Sequence, residues 1–76
     1  MITVRYFAGA RAAAGVAEES VPAGITLEQL ASRRGEPLSR VMRSASFLVD
    51  GLAWHDRHAP LPAGVTVDVL PPFAGG

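Results

Sequence analysis

Two segments at opposite ends of the chain carry apolar side chains at every second position. Residues 2–7 follow this pattern, and residues 65–70 repeat it. A period of two is typical of a β-strand with one buried face, because successive side chains of a strand point to opposite sides. We therefore predict two strands that share one core, and the expected core-facing residues are Ile2, Val4, Tyr6, Val65, Val67 and Val69.

The clearest helix signal lies between these strands. Residues 26–29 form a capping box, in which the Thr26 and Gln29 side chains each bond the other residue's backbone amide. Gly35 is expected to end this helix. The other predicted elements are a short helical turn over 9–15, a strand over 17–21, a second helical segment over 38–43, a strand over 46–50 and its partner arm over 52–55.

This succession of elements predicts an α+β fold for residues 1–70. One main helix has enough apolar surface to cover one face of a single mixed sheet. The periodicity does not settle the order of the strands in that sheet. Residues 71–76 are expected to form a separate, flexible C-terminal tail.

Composition removes several classes of function. The 76 residues include seven basic residues, all arginine, balanced by seven acidic residues, and neither lysine nor cysteine occurs. The balanced charge argues against a nucleic-acid or anionic membrane partner. Lysine-based catalysis, disulfides and zinc–thiolate sites are excluded, and no charge-free run approaches the roughly 20 residues of a membrane span. We expect a soluble cytoplasmic protein.

The alternation also places two large apolar residues on the other face of the sheet. Phe7 and Leu70 have the opposite parity to the predicted core residues, and they are expected beside polar side chains. Large apolar groups on a polar face favour a docking surface. Isolated exposed apolar residues are also common on ordinary surfaces, so both interpretations remain open here.

The last six residues are the most informative part of the sequence. Pro71 and Pro72 cannot donate to a sheet ladder, so they end the strand and favour an extended exit. Gly75 and Gly76 have no Cβ, which leaves a narrow end that can thread a channel. Fully stretched, the six residues span roughly 20 Å, enough to bring a carboxylate to a distant reaction centre. The alternative is a frayed terminus without function.

Three other groups of residues are candidates for a site. His55 and His58 are three residues apart but have no further histidine or cysteine to complete a metal site, so a solvated loop is expected. The arginines at 33, 34, 40 and 43 are expected to form a solvated face, or alternatively a site for an acidic partner. Trp54 is either a core residue or a docking anchor. The chain has no GxxxxGK[ST] loop, so any ATP site must lie on a partner.

The two ends of the chain resemble a known family. The residues that carry the resemblance are 1–8, Arg11 and Gly15 at the start, and Val-Asp-Val-Leu-Pro-Pro-Phe-Ala-Gly-Gly over 67–76. They closely resemble the MoaD branch of the MoaD/ThiS sulfur carriers. This branch comprises the small subunits of molybdopterin synthase. The resemblance implies a β-grasp, ubiquitin-like fold and covers essentially the whole chain.

The resemblance also implies a mechanism. An E1-like adenylyltransferase would use ATP to adenylate the carboxylate of Gly76, and a sulfurtransferase or cysteine desulfurase system would convert it to a thiocarboxylate. The tail would enter the large synthase subunit and donate sulfur for molybdopterin, and Gly75 would allow the threading. The chain itself would be a co-substrate without cofactor or metal. The implied partner-contacting residues are Phe7, Trp54, Leu70, Pro71, Pro72, Phe73 and Ala74.

Two departures from the family pattern leave alternatives. The connection over 31–46 is shorter than usual for the MoaD branch, and residues 47–51 look equally like other carriers of the superfamily. A carrier for thiazole, cysteine or tRNA thiolation is therefore a second hypothesis. A β-grasp interaction module with an inert tail is a third, and a ubiquitin-like modifier of target lysines is a fourth.

Overall fold

The computed structural model describes residues 1–72. This part of the chain forms five strands and three short helices, and the strands form one sheet with the helices on one face. The elements are β1 (Ile2–Tyr6), α1 (Ala8–Ala14), β2 (Glu18–Val21), α2 (Leu27–Arg33), α3 (Glu36–Arg43), β3 (Ser46–Val49), β4 (Leu52–Ala53) and β5 (Thr66–Leu70).

The sheet is mixed, and its strand order is β2-β1-β5-β3-β4. The first and last strands, β1 and β5, lie side by side and parallel in the middle, with Val4 opposite Val67. All other neighbouring strands pair in antiparallel fashion. The predicted α+β fold with a single mixed sheet is confirmed. The strand order was not predicted, because a period of two shows which face is buried and not which strand is adjacent.

The core lies between the sheet and the three helices. Side chains of the predicted parity are buried, including Val4 and Val67, each fully buried, while Val65 is only partly so. The helices contribute Ala10, Leu30, Leu38 and others to the same cluster. None of the helices within residues 1–72 is long and apolar enough to cross a membrane.

The capping box predicted for α2 is present. The Gln29 backbone amide donates to the Thr26 hydroxyl, the Thr26 amide donates to the Gln29 side chain, and both distances are 3.0 Å. The predicted stop of α1 at Gly15 is also confirmed, because this residue adopts a left-handed conformation with φ of 81°. The capping box and the glycine stop each depend on a few neighbouring residues, so both can be recognised from the sequence.

The region after α2 differs from the prediction. Helix α2 ends at Arg33 with Arg34 as its C-cap, so it stops directly before Gly35 as predicted, but Gly35, with φ of 92°, is also the N-cap of α3. Helix α3 begins two residues earlier than expected, because Pro37 lies in its first turn, where a missing amide proton has no cost. The sheet is therefore covered by three helices of similar length in place of one main helix.

Candidate functional site

The exit of the chain from the sheet is fixed by β5. This strand is hydrogen-bonded on both sides, and its last residue, Leu70, pairs with Ser46 of β3. On the other side, the Phe7 amide donates to the Val69 carbonyl at 3.2 Å. Pro71 follows directly and has no amide proton, so the ladder cannot continue. The tail consequently starts from the central strand of a rigid sheet, and Pro72 is already exposed.

Phe7 and Leu70 lie together at this exit, as their parity predicted. Tyr6 is opposite Val69 in the parallel pair, so the next step along both strands places Phe7 beside Leu70. Both residues are half-buried, on the sheet face that the helices leave uncovered, which we call the open face. The structure therefore brings Phe7, Leu70 and Pro71 together where the tail begins.

The remaining predicted tail residues lie outside the part of the chain that the structure describes. They are Phe73, Ala74, Gly75 and Gly76. Their predicted roles in threading and sulfur transfer therefore remain predictions, as do the boundaries of the domain and the tail.

An ion pair occupies the centre of the open face. Arg5 and Asp68 are opposite each other in the β1–β5 pair, and the guanidinium Nε and Nη2 donate to the two carboxylate oxygens at 2.6 and 3.0 Å. Hydrogen bonding and charge attraction from Asp68 raise the pKa of Arg5. The Arg5 guanidinium carbon also lies 5.8 Å from the centroid of the Phe7 ring. Arg5 has the parity of Phe7 and Asp68 that of Leu70, so strand alternation alone puts both charges on this face, but their pairing depends on the strand register.

Trp54 lies elsewhere. Its amide donates to the Phe47 carbonyl at 2.9 Å, which extends the β3–β4 hairpin by one pair. The Phe47 side chain is buried in the core, and Trp54 is partly buried against the same cluster on the helix-covered side. Its indole Nε1 donates to the Asp56 carbonyl at 2.9 Å. The structure therefore does not group Trp54 with Phe7 and Leu70.

Arg57 anchors the segment that was expected to be a solvated loop. Its guanidinium donates to the carbonyls of Met42, Arg43 and Ala45 at 2.7, 3.3 and 3.3 Å, where α3 ends. It also lies over the Phe47 ring, 4.9 Å from the centroid. A cation at a helix C-terminus bonds carbonyls that have no partner within the helix. This part of the loop prediction is wrong, and the partners are too distant in sequence for a local signal.

The four arginines of the predicted solvated face are all exposed, as expected, but Arg34 also forms an ion pair within the domain. Its guanidinium donates to both carboxylate oxygens of Glu19 at 2.7 and 3.1 Å, and Tyr6 donates its hydroxyl to the same carboxylate at 2.5 Å. The Arg34 hydrogen bond lowers the pKa of Glu19. Burial, followed by the Glu19 hydrogen bond, raises the pKa of Tyr6. This cluster ties β1, β2 and the end of α2 together and has a structural role.

The histidines of the same loop are solvent-exposed. His58 Nδ1 lies 3.5 Å from a Glu28 carboxylate oxygen, and no other ligating side chain completes a site there. Across residues 1–72, no three histidine, cysteine, aspartate or glutamate side chains are close enough to hold a metal ion.

The open face and the exit of the tail can be compared with known proteins. Solved structures with the same fold include a chain of the complex of subunits 1 and 2 of the molybdopterin-converting factor from Helicobacter pylori (21% identity, TM-score 0.68, 99% of this chain and 97% of that chain covered). Another is a Pyrococcus furiosus protein assigned as molybdopterin converting factor subunit 1 (25% identity, TM-score 0.68, 95% and 97% covered). SAMP1 from Haloferax volcanii is similar as well (22% identity, TM-score 0.69, 99% and 98% covered).

These likenesses establish the ubiquitin-like β-grasp fold that the resemblance implied. A comparison with curated proteins gave no match. The model of the ThiS family, in contrast, matches residues 4–76, which include the last three residues of β1, the other four strands and the final glycines. The chain belongs to the ThiS family.

Proposed function

We propose that this chain is a sulfur carrier whose Gly76 carboxylate is converted to a thiocarboxylate that supplies sulfur for molybdopterin. The observation that carries the proposal is the ThiS family match, which runs through Gly75 and Gly76. The subunit 1 assignment of the P. furiosus relative, at 25% identity over 95% of this chain, favours the molybdopterin pathway among the pathways open to a carrier.

The geometry of the exit supports this proposal. A carrier needs a rigid body for recognition and a thin end that reaches into another protein. The central strand β5 supplies the first, and Pro71 ends that strand beside the apolar pair Phe7 and Leu70. From there the four residues of 73–76 would span up to roughly 14 Å if extended, enough to reach a recessed active site.

The proposed chemistry takes place on one carbonyl carbon. A carboxylate is a poor electrophile, so an oxygen of Gly76 first attacks the α-phosphate of ATP and pyrophosphate leaves. A sulfur donor at the oxidation level of hydrosulfide then attacks the acyl carbon. AMP leaves with the carboxylate oxygen that had attacked the phosphate, and one proton is released. If the donor is an enzyme persulfide, a thiol must also reduce the S–S bond. The chain contains no lysine or cysteine to interfere as an internal nucleophile.

The proposal assigns each catalytic task to a partner. An E1-like adenylyltransferase binds the ATP, and a sulfurtransferase or cysteine desulfurase system provides the sulfur. The large subunit of molybdopterin synthase receives the tail, as subunit 2 pairs with subunit 1 in the H. pylori complex. The chain itself carries no cofactor, and the reaction takes place in the cytoplasm.

Intact-mass measurement tests the carrier chemistry. After incubation with the E1-like enzyme, ATP and a sulfur donor, we expect the mass to rise by one sulfur minus one oxygen. Deletion of Gly76 should abolish this shift without changing the melting temperature, since the core and the sheet are formed by residues 2–70. Gly9→Ala is the matched control, because a Cβ there meets no atom within 4 Å and the shift should persist.

A second reconstitution tests the pathway. Thiocarboxylated carrier is mixed with the large synthase subunit and the pterin precursor, and formation of the dithiolene product is measured. Product formation supports the molybdopterin assignment. A mass shift without product would instead favour thiazole, cysteine or tRNA thiolation, and absence of the mass shift would contradict the carrier function itself.

A further inference from the structure

The open face contains one charged side chain that is buried before any partner binds. Asp68 is only 8% exposed although it lies on the uncovered side of the sheet, in the middle strand β5. Its two carboxylate oxygens are both occupied by Arg5. The aspartate therefore needs nothing further from a protein that covers this face.

Only one side of the Arg5 guanidinium has hydrogen-bond acceptors. A guanidinium has five N–H donors in a fixed plane, and Asp68 engages Nε and Nη2. The remaining donors, including both of Nη1, have no acceptor among residues 1–72. The Arg5 side chain is 49% exposed, next to the ring of Phe7. Asp68 thus holds a pre-oriented set of donors beside the apolar pair at the tail exit.

Covering this face with an entirely apolar surface would be unfavourable. Buried N–H groups without acceptors lose their hydration and gain nothing in return. The charge around Arg5 further restricts the acceptor, because Asp68 already neutralises the guanidinium and Glu18 lies opposite Arg5 on β2. With two carboxylates beside one guanidinium, a third carboxylate would be repelled. A neutral oxygen, from a backbone carbonyl or a side-chain amide, fits better.

We propose that Arg5, held by Asp68, selects the partner of the open face: a protein surface that packs apolar groups on Phe7 and Leu70 and places a neutral oxygen acceptor on the Arg5 guanidinium. This inference rests on the proposed function, in which the large synthase subunit covers this face while it receives the tail. Arg5 acts as a specificity residue for the complex, and Asp68 is its positioning residue.

Calorimetric titration against the large synthase subunit tests the inference. In the double variant Arg5→Met/Asp68→Leu, both charges are replaced by apolar groups, so no buried charge is left unpaired in the carrier. We expect this variant to bind roughly tenfold more weakly, because the acceptor on the partner then loses its donor. Arg33→Met is the matched control: it makes the same arginine change on the exposed surface of α2 and should leave the affinity unchanged.

Two further measurements keep the test independent of how well the double variant folds. Arg5→Lys keeps the charge but not the planar set of donors, and it should weaken binding by roughly three- to tenfold. For the unmodified chain, raising the salt concentration should change the affinity by no more than about twofold, because a neutral acceptor adds no intermolecular ion pair.

Each contrary result overturns the inference. Equal or tighter binding by the double variant would mean that the ion pair does not select the partner, and a steep loss of affinity with salt would mean that the acceptor is acidic. If the unmodified chain did not bind the large subunit at all, both the proposed partner and this inference would be contradicted. The mass shift on thiocarboxylation is measured separately, so it tests the carrier chemistry independently of this binding experiment.

Discussion

Replacement of Arg57 by methionine should destabilise the domain strongly. The guanidinium donates three hydrogen bonds to the carbonyls of Met42, Arg43 and Ala45, and it stacks on Phe47 at 4.9 Å. Methionine can fill part of the same space but cannot donate a hydrogen bond. The substitution therefore removes the side-chain hydrogen bonds at the end of α3 and leaves only the backbone cap of Ser44 there.

The expected loss follows from these contacts. A hydrogen bond from a charged group contributes about 1.5–3 kcal/mol when well formed. Only the 2.7 Å bond to Met42 is short, whereas the other two are 3.3 Å. The cation–π contact adds about 0.5–1 kcal/mol, and the contributions overlap because one side chain makes them all. We expect a loss of about 2–3 kcal/mol, which in a domain of this size lowers Tm by roughly 10–20 °C.

Urea unfolding followed by two probes measures this loss. The fluorescence of Trp54, the one tryptophan of the chain, reports on the β3–β4 hairpin and on the following loop, which contains Arg57. Far-ultraviolet circular dichroism reports on the helices. Arg40→Met is the matched control on α3, because its side chain is 73% exposed and 3.5 Å from Glu36. Such exposed pairs contribute little, so the control should stay within about 0.5 kcal/mol of the unmodified chain.

Three outcomes would refute this reasoning. A loss below about 0.5 kcal/mol for Arg57→Met would mean that solvent replaces the guanidinium at the helix end without cost. A loss of the same size in Arg40→Met would mean that net charge, and not the cap, is responsible. Transitions that differ between fluorescence and circular dichroism would show that the loop unfolds separately from the helices.

Three other substitutions test local features. The Arg34 bond lowers the pKa of Glu19 in the folded state, so its stabilisation is complete above the unfolded-state pKa of about 4.3 and is lost as pH falls through the folded pKa. Glu19→Gln should flatten this part of the acid-unfolding curve, and an unchanged curve would contradict it. Thr26→Ala should cost about 1 kcal/mol in urea unfolding by removing the capping box, and a neutral result would refute that role. Gly51→Ala, at φ of 83°, should cost about 1–2 kcal/mol, whereas Gly9→Ala on α1 should not destabilise, and equal losses would contradict the conformational argument.

Features that are encoded within a few residues could be predicted from the sequence. The apolar alternation of β1 and β5 gave the buried face, and the capping box gave the start of α2. The turn at Asp50-Gly51 is likewise a local signal, and both residues have positive φ. Such signals need no knowledge of distant neighbours.

Interactions between distant segments could not be predicted in the same way. The pairing of Arg5 with Asp68 requires the parallel register of β1 and β5, and Arg57 caps a helix that ends 14 residues earlier. For Arg34 a partial signal existed. Its spacing from Leu27, Leu30 and Ala31 places Arg34 on the same side of the helix as these apolar residues. The sequence alone does not show that Glu19 is near enough to pair with it.

The central position of β5 has a consequence for biosynthesis. Strand β5 separates β1 from β3, so the pairs β1–β2 and β3–β4 cannot join into one sheet until the ribosome has translated β5. Nascent or prematurely terminated polypeptides lacking β5 therefore cannot assemble this sheet. An enzyme that recognises the assembled sheet beside Leu70 would therefore bind only chains in which β5 has been made and has joined the two strand pairs.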